Sequence, residues 1–123
     1  MTFQPPIPVL RIFDLALAKA FYVDWLGFRV AWEHRFEPDA PVYLQVARGP
    51  VVLHLSEHYG DSSPGAKVLV NTDDVEALHR ELSSRPNRNM RPGVDIAPWN
   101  AKVLEVTDPF GNRLLFNQPL PAA

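Results

Sequence analysis

Histidine has the widest chemical use of the residues in this chain, because an imidazole can move protons or bind a metal near neutral pH. His54 lies inside the apolar stretch "VVLHLS". A single histidine in such a strand is more often hydrogen-bonded in a core or a cleft than catalytic. His34, His58 and His79 are isolated from one another, and Glu57 beside His58 would point to the opposite face of a strand. We therefore expect no catalytic pair or chelate among them.

No other residue pattern supplies a catalyst. The sequence contains no cysteine, which excludes disulfides, thiolate nucleophiles and cysteine-based zinc sites. A Ser/His/Asp spacing, a nucleophile elbow and a phosphate-binding glycine loop are also missing from it. The sequence thus offers no obvious agent for making or breaking covalent bonds.

Composition limits the classes of partner. The 123 residues fit one domain, or two small halves that share a core, and an apolar fraction of 46% is enough to form one. Twelve basic and fourteen acidic residues give a formal charge of −2, which favours neither nucleic acid nor an anionic membrane. The N-terminal residues lack the pattern of a secretory signal, and no segment has the apolar run of a membrane helix. We expect a cytoplasmic protein.

The first half of the chain predicts a strand, a helix and three further strands. Asp14 is a plausible N-cap for a helix over "LALAKAFYVDWL", and Gly27 is its stop. The strands that follow are "FRVAWEHRF", "PVYLQVA" and "VVLHLS", with "RGP" as the turn between the last two. Alternation in the first of them places Phe28, Val30 and Trp32 on one face. Four side chains at helical spacing are expected to face the core: Ala18, Phe21, Tyr22 and Trp25.

The same pattern then recurs. The segment "AKVLVNTDD" predicts a strand that leads into a helix capped by Asp73 or Asp74. "VLRIFD" and "VLVNTD" support a duplication directly, with "YGDSSPG" as the linker between the two copies. A unit of this size occurring twice predicts paired βαβββ modules. The second helix should bury Val75, Leu78 and Leu82, and further strands are expected near residues 89–97, 101–107 and 113–118.

Two segments carry a resemblance to a known family. "IPVLRIFDLALAKAFYVDWLGFRV" resembles the opening of the glyoxalase and bleomycin resistance superfamily, also called vicinal oxygen chelate proteins, and "VTDPFGNRLLF" resembles its closing hairpin. The likeness runs over residues 7–118. It implies an α+β fold in which two βαβββ modules form a curved mixed sheet with a cleft. We therefore predict a single domain over residues 1–123, with modules at approximately 7–58 and 66–118.

Metal-dependent enzymes of this superfamily resemble one another in having four ligand positions, on the first and last strands of each module. In this sequence the positions fall on Ile7, His54, Lys67 and Leu115. Isoleucine and leucine have no donor atom, and a lysine ammonium must lose its proton before it can bind a metal. The resemblance therefore implies a branch without a metal or cofactor, and we predict that the chain is not an enzyme.

Within the superfamily the likeness is greatest to the bleomycin resistance proteins, through "PVL", "FYVDWLGF" and "PWN". It implies a homodimer that sequesters a bleomycin-type glycopeptide antibiotic, with aromatic side chains against the planar bithiazole and acidic groups facing the cationic tail. Pro8 matches the proline about which the N-terminal strand swaps onto the partner subunit. Five residues are predicted to bind the ligand: Trp32, Phe36, His54, Lys67 and Trp99.

Alternatives remain open at each of these steps. Trp32 and Trp99 could pack in an interface or a core instead, and Lys67 suits a cationic antibiotic only if a carboxylate pairs with it. The chain could also be a metal-dependent lyase, isomerase, dioxygenase or fosfomycin-type transferase of the superfamily. Further alternatives are a protein that binds another aromatic small molecule, and a ligand-free scaffold or toxin-binding accessory protein.

Overall fold

The computed structural model describes residues 1–85, 87 and 90–122. The chain divides into two compact units, Met1–Pro64 and Gly65–Ala123, and the division falls within the segment "YGDSSPG". Each unit contains a four-stranded mixed sheet and helical structure. The predicted α+β class and the paired βαβββ modules are thereby confirmed. In the described part of the chain, no helix is long and apolar enough to cross a membrane.

The first unit has the strand order β1-β4-β3-β2. Its short first strand pairs parallel to the last, whereas the other neighbours pair antiparallel. The β3–β4 hairpin turns at Gly49, which has a positive φ of 55° that favours glycine. The strands are β1 (Val9–Arg11), β2 (Arg29–His34), β3 (Tyr43–Arg48) and β4 (Val51–Ser56).

The helical segment of the first unit changes its winding partway along. Helix α1 (Leu15–Lys19) begins at Asp14, whose carboxylate accepts a hydrogen bond from the Leu17 N–H at 2.9 Å. It continues as a π-helical segment over Ala20–Trp25. The predicted cap is confirmed, and so is the buried face formed by Ala18, Phe21, Tyr22 and Trp25. The wider π turn was not predicted from the sequence, because apolar spacing does not distinguish it from an α turn over so few residues.

Strand β2 departs from the predicted alternation. Val30 lies opposite the buried Val46, but Trp32 lies opposite Gln45, because the register shifts between Val30 and Trp32. Such a bulge moves the following side chains to the other face of the sheet. The prediction that Trp32 shares a face with Val30 is therefore wrong. The indole instead lies on the open face of the sheet, where the residue is 41% exposed.

The second unit repeats this topology, with the strand order β5-β8-β7-β6. Of the two candidate caps, Asp74 is the one that accepts a hydrogen bond, from the Ala77 N–H at 3.0 Å. Val75 and Leu82 are buried, and Leu78 is half-buried. The predicted strand near residues 89–97 is shorter in the structure, and its first residue lies outside the described ones. The elements are β5 (Lys67–Asn71), α2 (Val75–Ser83), β6 (Asp95–Ala97), β7 (Ala101–Thr107) and β8 (Arg113–Pro119).

The hairpin between β7 and β8 is built around the buried Asp108. Its Oδ1 accepts hydrogen bonds from the backbone N–H groups of Phe110 and Asn112, both at 2.8 Å. Its Oδ2 accepts from the Asn112 side-chain amide at 2.9 Å. The Asn112 amide oxygen accepts in turn from the Ala66 N–H at 3.3 Å, just before β5. The turn therefore ties the hairpin to the first strand of the same unit.

Candidate functional site

The open face of the first unit's sheet carries three rings, those of Trp32, Tyr43 and His54, which we call the Trp32 cluster. The Trp32 and Tyr43 rings are stacked, with centroids 6.0 Å apart and planes inclined by 10°. The His54 ring meets both edge-on, at 5.3 Å from Trp32 and 5.1 Å from Tyr43. The cluster thus presents an accessible indole that contacts two further rings.

Strand register brings these rings together. Gln45 of the central strand β3 lies opposite Trp32 of β2 on one side and opposite His54 of β4 on the other. Tyr43 precedes Gln45 by two residues and therefore projects from the same face. Without the bulge in β2, the indole would lie on the buried face.

Two hydrogen bonds fix His54. Its Nε2 lies 3.0 Å from Gln45 Oε1, and its Nδ1 lies 2.7 Å from the Tyr43 hydroxyl. An amide oxygen only accepts, so Nε2 donates to Gln45 Oε1, and in the neutral imidazole Nδ1 then accepts from the Tyr43 hydroxyl. Burial lowers the pKa of His54 below its ordinary value. Burial, followed by the nearby charge of Asp61, raises the pKa of the Tyr43 hydroxyl. Burial therefore favours a neutral imidazole and a neutral phenol.

The donor atoms at the four family ligand positions do not fit a metal ion. Both nitrogens of His54 are engaged within the protein. Ile7 and Leu115 have no donor atom, and the Lys67 ammonium is paired with Glu105. Among the described residues, no group of three or more His, Cys, Asp or Glu side chains is placed to hold a metal.

Lys67 lies on the second unit as part of a charged trio. Its Nζ is 3.5 Å from Glu105 Oε1, and a guanidinium nitrogen of Arg113 is 3.9 Å from the same oxygen. The carboxylate that a cationic ligand near Lys67 would require is present, but two cations share it. Glu105 and Arg113 were not predicted from the sequence. The closing hairpin could have indicated them, because its turn fixes Glu105 opposite Leu115 on the neighbouring strand.

Trp99 lies in the turn between β6 and β7 of the second unit and is 56% exposed. Its indole N–H donates to Asn117 Oδ1 at 2.8 Å, and the Asn117 amide donates to Asn71 Oδ1 at 3.0 Å. This interaction orients the indole beside the end of β8. Lys67 is the first residue of β5, and the Trp99 indole lies beside Asn117 of the neighbouring β8.

The other predicted residues lie in the first unit. Phe36 follows β2, is 78% exposed, and meets the His34 ring edge-on at 4.7 Å. Pro8 precedes β1, and its carbonyl accepts the His54 backbone N–H at 2.9 Å. The structure thus joins Trp32 and His54 in one cluster, whereas Phe36 packs against a different ring.

Tyr43 and Gln45 were not predicted as site residues, although the sequence contains a signal for them. The turn at Gly49 and Pro50 sets the hairpin register, which places Gln45 opposite His54. Once that register is known, alternation brings Tyr43 to the same face. The position of Trp32 could not be found in this way, because the bulge in β2 has no distinct sequence mark.

Comparisons with solved structures agree with this architecture. A bleomycin-binding protein from bleomycin-producing Streptomyces verticillus, complexed with copper(II)-bleomycin, is 26% identical with a TM-score of 0.72, and the match covers 98% of this chain and 99% of that one. An antibiotic-binding protein from another Streptomyces is 27% identical with a TM-score of 0.66, covering 98% and 100%. A bleomycin resistance determinant encoded on the transposon Tn5 is 21% identical with a TM-score of 0.72, covering 97% and 100%. The last likeness shows the fold alone.

Sequence comparisons give the family. No curated protein matches the chain. The model of a family described as "Glyoxalase superfamily protein" matches residues 1–121, which is nearly the whole sequence. The chain therefore belongs to the glyoxalase superfamily.

Proposed function

We propose that the chain binds and sequesters an aromatic antibiotic without modifying it, with bleomycin-type glycopeptides as the first candidates. The observation that carries the proposal is the Trp32 cluster, in which an exposed indole is stacked on the Tyr43 ring. A planar heteroaromatic ligand gains apolar burial and ring contact on such a surface. A cationic group gains further attraction at an indole face. Two Streptomyces proteins of 26% and 27% identity, which by name bind bleomycin and an antibiotic, give added support.

The hydrogen bonds of His54 support binding of the antibiotic without its chemical modification. Its two nitrogens are occupied by Gln45 and Tyr43, so it has no free lone pair with which to take a proton from a ligand or to hold a metal. The other three positions that family enzymes use for a metal, Ile7, Lys67 and Leu115, supply no ready ligand. The cluster is therefore suited to contact and not to bond making.

We further propose a homodimer in which the arm before β1 exchanges between subunits about Pro8. Residues 1–7 are exposed in the single chain and include the apolar side chains of Phe3 and Ile7. Packing this arm on a partner subunit would remove apolar surface from water. The cytoplasmic location stays a prediction from the sequence.

The experiment is calorimetric titration of the purified protein with bleomycin, both metal-free and copper-bound. We expect saturable binding at about micromolar drug or below, a range that corresponds to roughly 8 kcal/mol. Trp32→Ala should lose this binding, whereas Tyr59→Ala, which truncates an exposed ring outside the cluster, should retain it. Absence of binding up to millimolar drug would reject the antibiotic, and a stoichiometric divalent metal in the purified protein would favour an enzyme instead.

A further inference from the structure

Three successive pairs of side chains share one face of the paired strands β5 and β8 in the second unit. Residues two apart in a strand project from the same face, and each such step advances about 6.6 Å. The face thus has a defined order, charged at one end, apolar in the middle and polar at the other. In that order the pairs are Lys67 with Arg113, Leu69 with Leu115, and Asn71 with Asn117, which we call the β5–β8 row.

At the charged end, Lys67 and Arg113 together have more N–H donors than one carboxylate oxygen can accept. Lys67 and Arg113 both approach a single oxygen of Glu105, at 3.5 Å and 3.9 Å. These separations exceed the usual length of a charge-assisted hydrogen bond, about 2.7–2.9 Å. Two cations facing one carboxylate leave a net positive charge, and the side chains remain accessible to solvent. An added anionic group would find donors there.

The middle of the row is apolar. Leu69 is 51% exposed, whereas its partner Leu115 is only 5% exposed. The floor beside the two cations is therefore formed by leucine side chains, of which Leu69 is the accessible one. A ring or a short hydrocarbon laid over Leu69 would cover that surface.

The far end is bounded by Trp99. Its indole is held by Asn117, the last pair of the row, and is more than half exposed. From the charged pair to this amide pair the strands advance about 13 Å. A ligand of two or three fused or linked rings would therefore reach from the cations to the indole.

We propose that the β5–β8 row binds small aromatic anions, with a carboxylate or sulfonate group at Lys67 and Arg113 and a ring body over Leu69 toward Trp99. The row belongs to the second unit, and the proposal does not rest on antibiotic binding at the Trp32 cluster. The other carboxylate of this sheet face, Asp95, lies on β6 opposite Val103 and so stands beyond β7 from the row. Glu105 lies opposite Leu115 and competes with the ligand for both cations.

The test compares two fluorescent probes that share one aromatic skeleton, anilinonaphthalene sulfonate, which is anionic, and N-phenylnaphthylamine, which is neutral. At low ionic strength, Lys67→Met and Arg113→Gln should each weaken sulfonate binding by about fivefold. Glu105→Gln should strengthen it by a similar factor, because the competing carboxylate is gone. The affinity of the neutral probe should change by less than about twofold in all three variants.

Lys102→Met is the matched control. Lys102 lies on β7 of the same sheet and pairs with Glu76 of α2 at 3.6 Å, on the face toward the helix. Its loss should leave the affinities of both probes unchanged. Trp32→Ala should likewise leave the charge effect intact while abolishing bleomycin binding, which separates this proposal from the proposed function.

Two outcomes would overturn the inference. Sulfonate affinity that is unchanged in Lys67→Met and Arg113→Gln would show that the cations do not bind the anion. Equal losses for the neutral and the anionic probe would show that the variants alter the apolar surface or the fold and not charge recognition. A gain in Glu105→Gln that is confined to the sulfonate cannot arise from unfolding, because unfolding exposes apolar surface to both probes.

Discussion

The Tyr43 hydroxyl lies 2.7 Å from Nδ1 of His54 and donates to it, so the Trp32 cluster is built around an imidazole that accepts on one side and donates on the other. Protonation of Nδ1 would replace an acceptor by a donor. The Tyr43 hydroxyl would then have to rotate its proton away and accept instead. The geometry of the cluster is therefore coupled to the charge of His54.

This coupling predicts a pH-dependent stability. The pKa of His54 is lowered in the folded chain from the ordinary value of 6.5. The unfolded chain therefore binds more protons between the folded-state and unfolded-state pKa values, and the free energy of unfolding falls as the pH drops through that interval. Above the unfolded-state pKa, at about 6.5, this loss is absent.

Urea unfolding between about pH 5 and pH 8 measures the effect. His54→Gln should remove part of the decline at low pH, because the glutamine side chain does not titrate in this range. A proton NMR titration of the His54 ring should have its midpoint below 6.5. A midpoint at or above the ordinary value would contradict the prediction.

Asp108 should be among the most sensitive polar positions in the chain. Its carboxylate accepts three hydrogen bonds within the β7–β8 turn and is buried. Asp108→Ala leaves two buried N–H groups without that acceptor, so we expect a loss of roughly 2–4 kcal/mol in the free energy of unfolding. Asp73→Ala, at an exposed aspartate before α2, should cost less than about 0.5 kcal/mol. Equal denaturation midpoints for the two variants would refute this role of the turn.

The two helix caps give a matched pair of predictions. Asp14 caps α1 and Asp74 caps α2, each by accepting a backbone N–H three residues on. Alanine at either position should lower the free energy of unfolding by about 1 kcal/mol, whereas asparagine should preserve most of it. Thermal and urea denaturation of the four variants measures this. A loss with asparagine as large as that with alanine would show that the cap hydrogen bond is not the cause.

Local sequence patterns predicted most of the fold, and the features that they did not predict have physical causes in common. Alternation, caps and turn residues reveal the repeated module because they act between neighbours in sequence, as the caps at Asp14 and Asp74 show. The bulge before Trp32 was not predicted, because it depends on the pairing of β2 with β3. The ion pairs of Glu105 with two cations were not predicted either, because Lys67 and Arg113 come together only when β5 pairs with β8. The donor atoms at the metal positions could be assessed from residue identity alone.

The N-terminal arm gives a prediction on assembly. If residues 1–7 exchange between subunits, light scattering should give twice the chain mass of 13.9 kDa. A chain lacking these residues should dissociate at higher protein concentration than the full chain does, because the apolar contacts of Phe3 and Ile7 with the partner are lost. Phe13→Ala removes an exposed phenylalanine outside the arm and should leave the dissociation unchanged. A full-length monomer at all concentrations would reject the exchange.

Asn117 should control the orientation of Trp99. Asn117→Leu removes the acceptor of the indole N–H. Because Trp99 is exposed, its N–H can bond to water instead, and the free energy of unfolding should fall by only about 1 kcal/mol. The indole should also become more mobile. In a Trp32→Phe background two indoles remain, the buried Trp25 and the exposed Trp99, and the exposed one dominates the long-wavelength edge of the emission. Fluorescence anisotropy measured at that edge should fall in Asn117→Leu. Asn71→Ala removes the second partner of Asn117 but leaves the indole bond, so its anisotropy should match that of the parent. If both variants lower the anisotropy equally, the hydrogen bond from Trp99 is not what holds the ring.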